Sequence, residues 1–194
     1  MISNYSDHPF FARSNGFVLA SGRCEYYYRL KPLHASWAIK EARNMSTVIA
    51  KKIQEMVDLE TKGWNTKNPD LFLSMIHPDM VWPWPPTADT HDPIDWVFVL
   101  GRFDRERWRK NWQDIFDSHD LIRNQRDTVK IEVSNEQDAA FAVVDIDTLW
   151  RHKATKEDFH WKGRVCKIYT KLSTGEWKFY FQTGALNFPP KEAA

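Results

Sequence analysis

The sequence has very little cysteine, and this scarcity limits both its location and its chemistry. Only Cys24 and Cys166 occur among the 194 residues, and they stand in no metal-ligand spacing. We interpret them as two free thiols in a reduced compartment, with a disulfide as the alternative. No apolar run approaches the ~20 residues of a membrane span, and no apolar segment precedes a small-residue cleavage site. These absences predict a cytoplasmic protein with no membrane partner.

The chain also lacks an excess of charge of either sign. Its 27 Lys and Arg residues and 26 Asp and Glu residues leave a net charge of +1, so no overall field attracts nucleic acid. The most basic stretch, residues 101–112, interleaves its arginines with Asp104 and Glu106 at salt-bridge spacing, which is typical of a solvated helix face. We therefore expect no nucleic-acid partner.

Motifs for metals, phosphates and covalent catalysis are missing as well. No Gly-rich phosphate loop, serine nucleophile elbow or paired-cysteine motif occurs. One histidine, His91, stands in an acidic loop that fits a turn better than a metal site. The sequence thus predicts no metal and no cofactor.

Aromatic residues, in contrast, are abundant. Ten Trp and twelve Phe are many for this length, and they build a core or line a pocket for an apolar or cationic ligand. Trp82 and Trp84 lie in the stretch Leu71 to Pro86, where an apolar helix end gives way to extended chain. Its prolines favour an edge strand or a rim, on which two residues spaced by two point the same way. His77 is expected to cap the end of the helix.

Residues 1–44 differ in composition from the rest and carry three more basic than acidic residues. They fit an ordered arm, a basic leader, or sequence upstream of a start at Met45, and we favour the last. Ser46 or Thr47 is then available as the N-cap of the first helix. The predicted domains are a basic N-terminal arm or leader at 1–44, one folded domain at 45–188 and a tail at 189–194.

Hydrophobic periodicity predicts three helices and a series of strands. The first helix runs from Thr47 to Trp64, the second from Pro69 to Ile76, and the third follows a cap at Asp104. The predicted strands are Ile94 to Leu100, Ile122 to Val133, Ala139 to Trp150, Phe159 to Leu172 and Glu176 to Leu186.

Four motifs in this order resemble the nuclear transport factor 2-like superfamily, which includes ketosteroid isomerases, SnoaL-like cyclases and kinase association domains. They are HPDMVW at 77–82, GRFDRERWRKNW at 101–112, DAAFAVVDIDTLW at 138–150 and GRVCKIYTKLSTGEWKF at 163–179. The resemblance implies an α+β cone of three helices on a strongly curved, mostly antiparallel sheet. It also implies a pocket between the first helix and the concave face. The isomerase residues are replaced here, at Trp84, Glu60 and Lys167.

Three carboxylates are the candidate catalytic residues. Glu60 interrupts an apolar helix face, where burial raises the pKa of a carboxyl unless it finds a partner. Asp145 and Asp147 share one strand face, which is either the concave or the solvated one. The candidate binding residues are Trp82, Trp84, Trp96, Lys167 and Tyr169.

These features predict a small-molecule pocket protein, whose enzymatic form is a cofactor-free lyase, isomerase or cyclase using carboxylates. The alternatives are a non-catalytic association or ligand-binding module and the small structural subunit of an aromatic-ring dioxygenase. Aromatic rings near carboxylates favour a cationic ligand. We also expect a homodimer, through an apolar patch of Val144, Ile146 and Trp150 if that strand face is the outer one.

Overall fold

The computed structural model describes residues 32–84, 86 and 92–184, with side chains from residue 40 onward. The helices are α1 (Pro32–Asn65), α2 (Pro69–Leu73) and α3 (Arg105–Ser118). The strands are β1 (Ile76–Val81), β2 (His119–Val133), β3 (Ala139–His152), β4 (Asp158–Lys171) and β5 (Trp177–Gln182). Within this part of the chain, no helix is both long and apolar enough to cross a membrane.

The five strands form one sheet in the order β1-β5-β4-β3-β2. All neighbours are antiparallel except β1 and β5, which are parallel. Strand β1 lies at the edge, as the prolines around it predicted. The helices pack on one side of the sheet, called here the inner face, with α1 against β2 and β3 and α3 against β2. The predicted α+β architecture of helices on a mostly antiparallel sheet is confirmed.

The core between helices and sheet is largely aromatic. Trp64 of α1 stacks on Phe72 at a centroid distance of 5.1 Å and meets Trp112 of α3 edge-on at 4.9 Å. Phe116 of α3 stacks on Trp150 of β3 at 5.7 Å. Such offset-stacked and edge-on pairs add to the free energy of burial. Many of the aromatic residues in the sequence therefore pack the helices against the inner face.

Strand β2 contains two bulges that decide which of its side chains face inward. The register shifts between Leu121 and Arg123 and again between Thr128 and Lys130. Ile131 packs inward, and if side chains alternated strictly between the two faces of β2, Arg126, five residues earlier, would lie on the outer face. The second bulge reverses this parity, because a bulge inserts one unpaired residue. Arg126 consequently lies on the inner face.

The first helix extends further toward the N-terminus than predicted. Helix α1 begins at Pro32, and the hydroxyls of Ser46 and Thr47 donate to the carbonyls of Ala42 and Arg43, at 3.0 Å each. Neither residue is an N-cap, so that prediction is wrong. The division of the chain at Met45 stays a prediction, and residues 1–31 and the tail at 189–194 lie outside the described residues.

Two predictions around the tryptophan stretch are also wrong. Helix α2 ends at Leu73, and His77 lies inside β1, where its Nδ1 accepts a hydrogen bond from the Asp79 N–H at 3.0 Å. The segment 94–100 is not a regular strand. Asp92 caps a short 3₁₀ helix at Pro93–Asp95, because proline at the first position favours a helical start over a ladder. Only Val97 pairs, with Trp84.

Candidate functional site

An aromatic cavity of about 170 Å³ lies between the helices and the inner face of the sheet. This is close to the ~150 Å³ cavity that holds a benzene ring in an engineered protein. Both the helices and the sheet supply lining residues, which come from α1, α3, β2, β3, β4 and the segment after β1. The lining consists of Trp64, Trp84, Trp112, Ile115, His119, Arg126, Thr148, Trp150, Phe159 and Trp161.

The walls of the aromatic cavity are flat and the mouth is partly open. Trp84 lies 4.7 Å from Trp161 and 5.4 Å from Trp112 between ring centroids, and it is nearly parallel to Phe159. The half-buried lining residues Trp84, Ile115, His119 and Phe159 form the mouth, whereas the others are buried. Flat aromatic walls favour a flat, unsaturated ligand over a saturated one.

A buried ion pair lies beside the cavity. The Nζ of Lys167 is 2.7 and 2.9 Å from the two carboxylate oxygens of Glu60, and both side chains are at most 2 % exposed. Lys167 also contacts Gln182, and the indole N–H of Trp64 donates to Glu60 at 3.3 Å. Trp64 thus connects the ion pair to the cavity wall. Glu60 of α1 and Lys167 of β4 are 107 residues apart in the sequence.

This pairing sets the charge of both groups. Burial raises the pKa of Glu60, but the neighbouring Lys167 and Arg126 outweigh burial and hold the pKa below its usual 4.5. Burial lowers the pKa of Lys167 to about 8, although Glu60 opposes the shift. Both groups are charged at pH 7. The predicted acid–base role of Glu60 required a raised pKa, so the geometry favours an ion-pairing role instead.

Arg126 is a second buried cation, and it lines the cavity. Its side chain is 2 % exposed, its Nη2 lies 4.0 Å from Glu60, and its guanidinium sits 5.7 Å from the ring centre of Trp64. Its Nη1 donates to the Asn124 side-chain oxygen, which also accepts from the Thr148 hydroxyl at 2.9 Å. Burial lowers the pKa of Arg126 while Glu60 raises it, and the guanidinium remains charged.

Three buried N–H donors on lining residues have no acceptor within the described chain. They are Nε1 of Trp112, Nε1 of Trp161 and Nε of Arg126. An unsatisfied buried donor costs about 1–3 kcal/mol, and native proteins contain few of them. Three such donors thus belong to residues of this cavity lining, and Trp82, Trp96 and Tyr169, which do not line it, carry further groups that are unpaired among the described residues.

His119 stands at the mouth with one ring nitrogen engaged. Its Nδ1 is 2.9 Å from the Ser118 hydroxyl and 3.2 Å from the Ile115 carbonyl, which can only accept. The proton of the neutral ring is therefore assigned to Nδ1, which leaves a lone pair on Nε2. Burial lowers the pKa of His119 below 6.5, and the hydrogen bond to the Ile115 carbonyl opposes this shift. The neighbouring His152, Lys153 and Lys67 lower the pKa of His119 further. A neutral imidazole of this kind can accept a proton.

The predicted binding residues separate into two groups. Trp84 lines the aromatic cavity, and Lys167 lies behind it in the buried ion pair. Trp82 is instead core, packed against Phe179 at 5.7 Å, and its ring does not share a rim with Trp84. Tyr169 stacks on Phe179 at 5.2 Å, and Trp96 lies so close to Gly184 that an added Cβ would be 2.8 Å from its ring. These three are absent from the lining.

Asp145 and Asp147 lie on the outer face, so the expectation that they line the cavity is wrong. Their alternates on β3, Val144, Ile146 and Thr148, face the helices, because the apolar Val144 and Ile146 fill the core. Asp145 is 45 % exposed and pairs with Arg164 at 2.6 Å. Asp147 is 21 % exposed and contacts Arg123 and His160 at 2.8 Å and Lys162 at 3.7 Å.

The same orientation removes the predicted dimer patch. Val144, Ile146 and Trp150 are buried against the helices and are unavailable to a partner. On the outer face the larger exposed apolar side chains of β3 and β4 are Phe141 and Ile168. The homodimer itself stays a prediction.

Sequence reasoning missed most of the cavity lining, including Arg126 and His119. Trp112, Ile115, Trp150 and Trp161 lie within the predicted helices and strands, but nothing in the hydrophobic alternation shows that these elements enclose a space. For His119 a signal existed, because it directly follows α3 and begins a strand. Among residues 32–84, 86 and 92–184, no group of three or more His, Cys, Asp or Glu side chains could hold a metal ion.

Comparison with known proteins shows the fold but no close relative. No protein-family profile matches the chain, and no curated protein matches its sequence. A solved ketosteroid isomerase-like protein from Erwinia carotovora atroseptica is similar at 13 % identity and a TM-score of 0.53, covering 72 % of this chain and 97 % of that one.

Two further structures agree. A nuclear transport factor 2-like protein from Rhodospirillum rubrum has a TM-score of 0.51 at 12 % identity, covering 70 % of this chain and 98 % of that one. A superfamily protein from Salmonella enterica serovar Typhimurium has a TM-score of 0.50 at 13 % identity, covering 76 % and 99 %. The chain therefore has the nuclear transport factor 2-like fold.

Proposed function

We propose that this protein binds a small, flat organic compound bearing hydrogen-bond acceptors in its aromatic cavity. The observation that carries this proposal is the set of three unsatisfied buried donors on residues lining one cavity. An acceptor on the ligand would satisfy donors that otherwise cost free energy. Apolar walls with a few polar groups are the usual composition of a small-molecule site.

Size limits the ligand to about one ring. The cavity volume of about 170 Å³ matches a benzene-sized body with a small polar substituent. A larger steroid-like body would need the mouth residues to move. An open aromatic cavity favours ligand binding over the alternative of a purely structural association module, whose cone would be filled. The dioxygenase-subunit alternative gains no support from the residues described.

Benzamide is a suitable first probe, since it is flat, neutral and carries an acceptor. We expect benzamide at millimolar concentrations to raise the melting temperature of the wild type saturably, by linkage. Ile115→Trp places a large ring at the half-buried mouth and should weaken binding by about tenfold or more, or 1.4 kcal/mol. Ile122→Trp, on an exposed position of β2, is the matched control and should bind as wild type.

The proposal fails if benzamide and similar single-ring compounds leave the melting temperature of the wild type unchanged. It also fails if Ile115→Trp binds them as tightly as Ile122→Trp does. Either result would mean that the aromatic cavity is only a packing defect of the core.

Acid–base catalysis is a second candidate function, and His119 rather than a carboxylate supports it. Its Nε2 lone pair stands at the mouth, while Nδ1–H is held by Ser118 and Ile115. In a bound aryl ketone, Nε2 would take a proton from the carbon next to the carbonyl. The electron pair would move to the carbonyl oxygen, and the imidazolium would return a proton. This is the chemistry of a cofactor-free isomerase or lyase.

Acetophenone in heavy water tests this step without knowledge of the natural substrate. We expect the protein to catalyse deuterium exchange of its methyl protons, with a rate that rises through a pKa below 6.5 and then levels off. His119→Gln should slow exchange by about 10²–10⁴-fold. His160→Gln, on the outer face, is the control. Equal rates in both variants would leave binding as the function.

A further inference from the structure

The buried charges beside the aromatic cavity do not balance. Glu60 carries one negative charge, whereas Lys167 and Arg126 carry one positive charge each. All three side chains are at most 2 % exposed, so water screens them little. A buried charge without a partner is costly. The cluster is therefore short of one negative charge.

Glu60 is committed to Lys167 and does not compensate Arg126 fully. Lys167 lies at hydrogen-bond distance from both carboxylate oxygens, at 2.7 and 2.9 Å. The Nη2 of Arg126 lies 4.0 Å from the Oε1 of Glu60, which is too long for a hydrogen bond. Arg126 is thus the member of the cluster that could take a further anion.

The remaining contacts of Arg126 are neutral. Its Nη1 donates to Asn124, its guanidinium lies near the face of Trp64, and its Nε has no acceptor among the described residues. A guanidinium presents its N–H groups as a planar fork that matches a carboxylate in a bidentate manner. The Nε edge of that fork is the one without a partner in the described chain, on a residue that lines the cavity.

We infer that the ligand is a monoanion, a flat single-ring carboxylate whose negative charge is met by Arg126. This inference rests on the proposed binding function and specifies the chemical class of its ligand. It reverses the cationic preference expected from the sequence, because Asp145 and Asp147 lie on the outer face and the charge lining the cavity is positive. The ring occupies the aromatic walls, and the carboxylate completes the charge of the buried cluster.

Three single-ring probes of different charge test the inference by isothermal titration calorimetry at pH 7: benzoate, benzamide and benzylamine. We expect benzoate to bind the wild type about tenfold or more tighter than benzamide, since charge-assisted hydrogen bonds are about twice as strong as neutral ones. Benzylamine should bind most weakly. Arg126→Gln should abolish the preference for benzoate while it retains benzamide binding, and Arg123→Gln, on the outer face, should leave the preference unchanged.

The outcomes separate the inference from the proposed function. If benzamide binds the wild type as tightly as benzoate does, the inference is wrong but the binding function stands. If no probe binds, the binding function fails and the inference fails with it. If Arg126→Gln does not fold, the variant Arg126→Lys tests the role of Arg126 instead. It keeps the charge but loses the planar fork, so the benzoate preference should shrink without inverting, and an unchanged preference would contradict a role for Arg126.

Discussion

Replacement of Glu60 by glutamine is expected to lower the free energy of unfolding by about 3–5 kcal/mol. Glutamine fills the same space but leaves Lys167 and Arg126 as two buried cations without a counter-charge. The pair itself is not the source of this stability, because removing two charges from water costs about as much as their attraction returns. The loss arises from the charges that are left without a partner.

The double variant Glu60→Leu/Lys167→Met tests this explanation. It leaves one unpaired buried cation, Arg126, instead of two, and should therefore recover part of the loss. Lys162→Met, at an exposed pair with Asp147, should change stability by only about 0–1 kcal/mol. Urea unfolding measures the stability of all three variants.

The contribution of Glu60 to stability also depends on pH. Because the pKa of Glu60 lies below 4.5 in the folded chain, its stabilising contribution is complete above that pH and is lost as the pH falls through the lowered pKa. The gap between wild type and Glu60→Gln should therefore narrow in acid. A single variant as stable as wild type would show that the ion pair is not formed.

Trp112→Ala is the second large effect that we expect, at about 3–5 kcal/mol. Trp112 is fully buried, lies within 6.1 Å of four aromatic rings between centroids, and forms part of the cavity wall. Its removal therefore both destabilises the core and enlarges the aromatic cavity. Added indole should refill this space and restore part of the lost stability, since a ligand that binds only the folded chain raises its melting temperature.

Trp108→Ala is the matched control for this variant. Trp108 is equally buried on the same helix, but it does not line the cavity, and its Nε1 donates to the Leu100 carbonyl at 3.1 Å. It should lose a similar amount of stability without recovery by indole. Equal recovery in both variants would indicate that indole binds elsewhere.

The fold was predictable because its signals are local. The alternation of β3 predicted a strand from Ala139 to Trp150, and the strand observed runs two residues further. Asp104 was identified as the cap of α3 from its position before an apolar face, and its side chain accepts from the Arg107 N–H. Such features depend on residues that are close in sequence, so they can be predicted without knowledge of tertiary contacts.

The cavity was less predictable for two reasons. The face on which a strand residue lies depends on the bulges in that strand, and the partners of buried charges lie far away in the sequence. The bulge after Thr128 turns Arg126 inward, and polar strand residues give no sign of such a bulge. The two faces of β3 could be distinguished only once Val144 was seen to pack against the helices. Glu60 was correctly singled out as a polar residue on an apolar face, but its partner Lys167 lies 107 residues away. Periodicity cannot show a pairing over that distance.

The most direct measurement of the binding claim follows the indole N–H groups by ¹⁵N–¹H NMR during a titration with benzamide. Each indole N–H gives its own signal, assigned with single Trp→Phe variants, and its shift reports hydrogen bonding. We predict that the signals of Trp112 and Trp161, which have no acceptor within the described chain, move saturably, while that of Trp108, already bonded to Leu100, stays in place. Signals of Trp112 and Trp161 that remain fixed at saturating benzamide would contradict the assignment of the aromatic cavity as a ligand site.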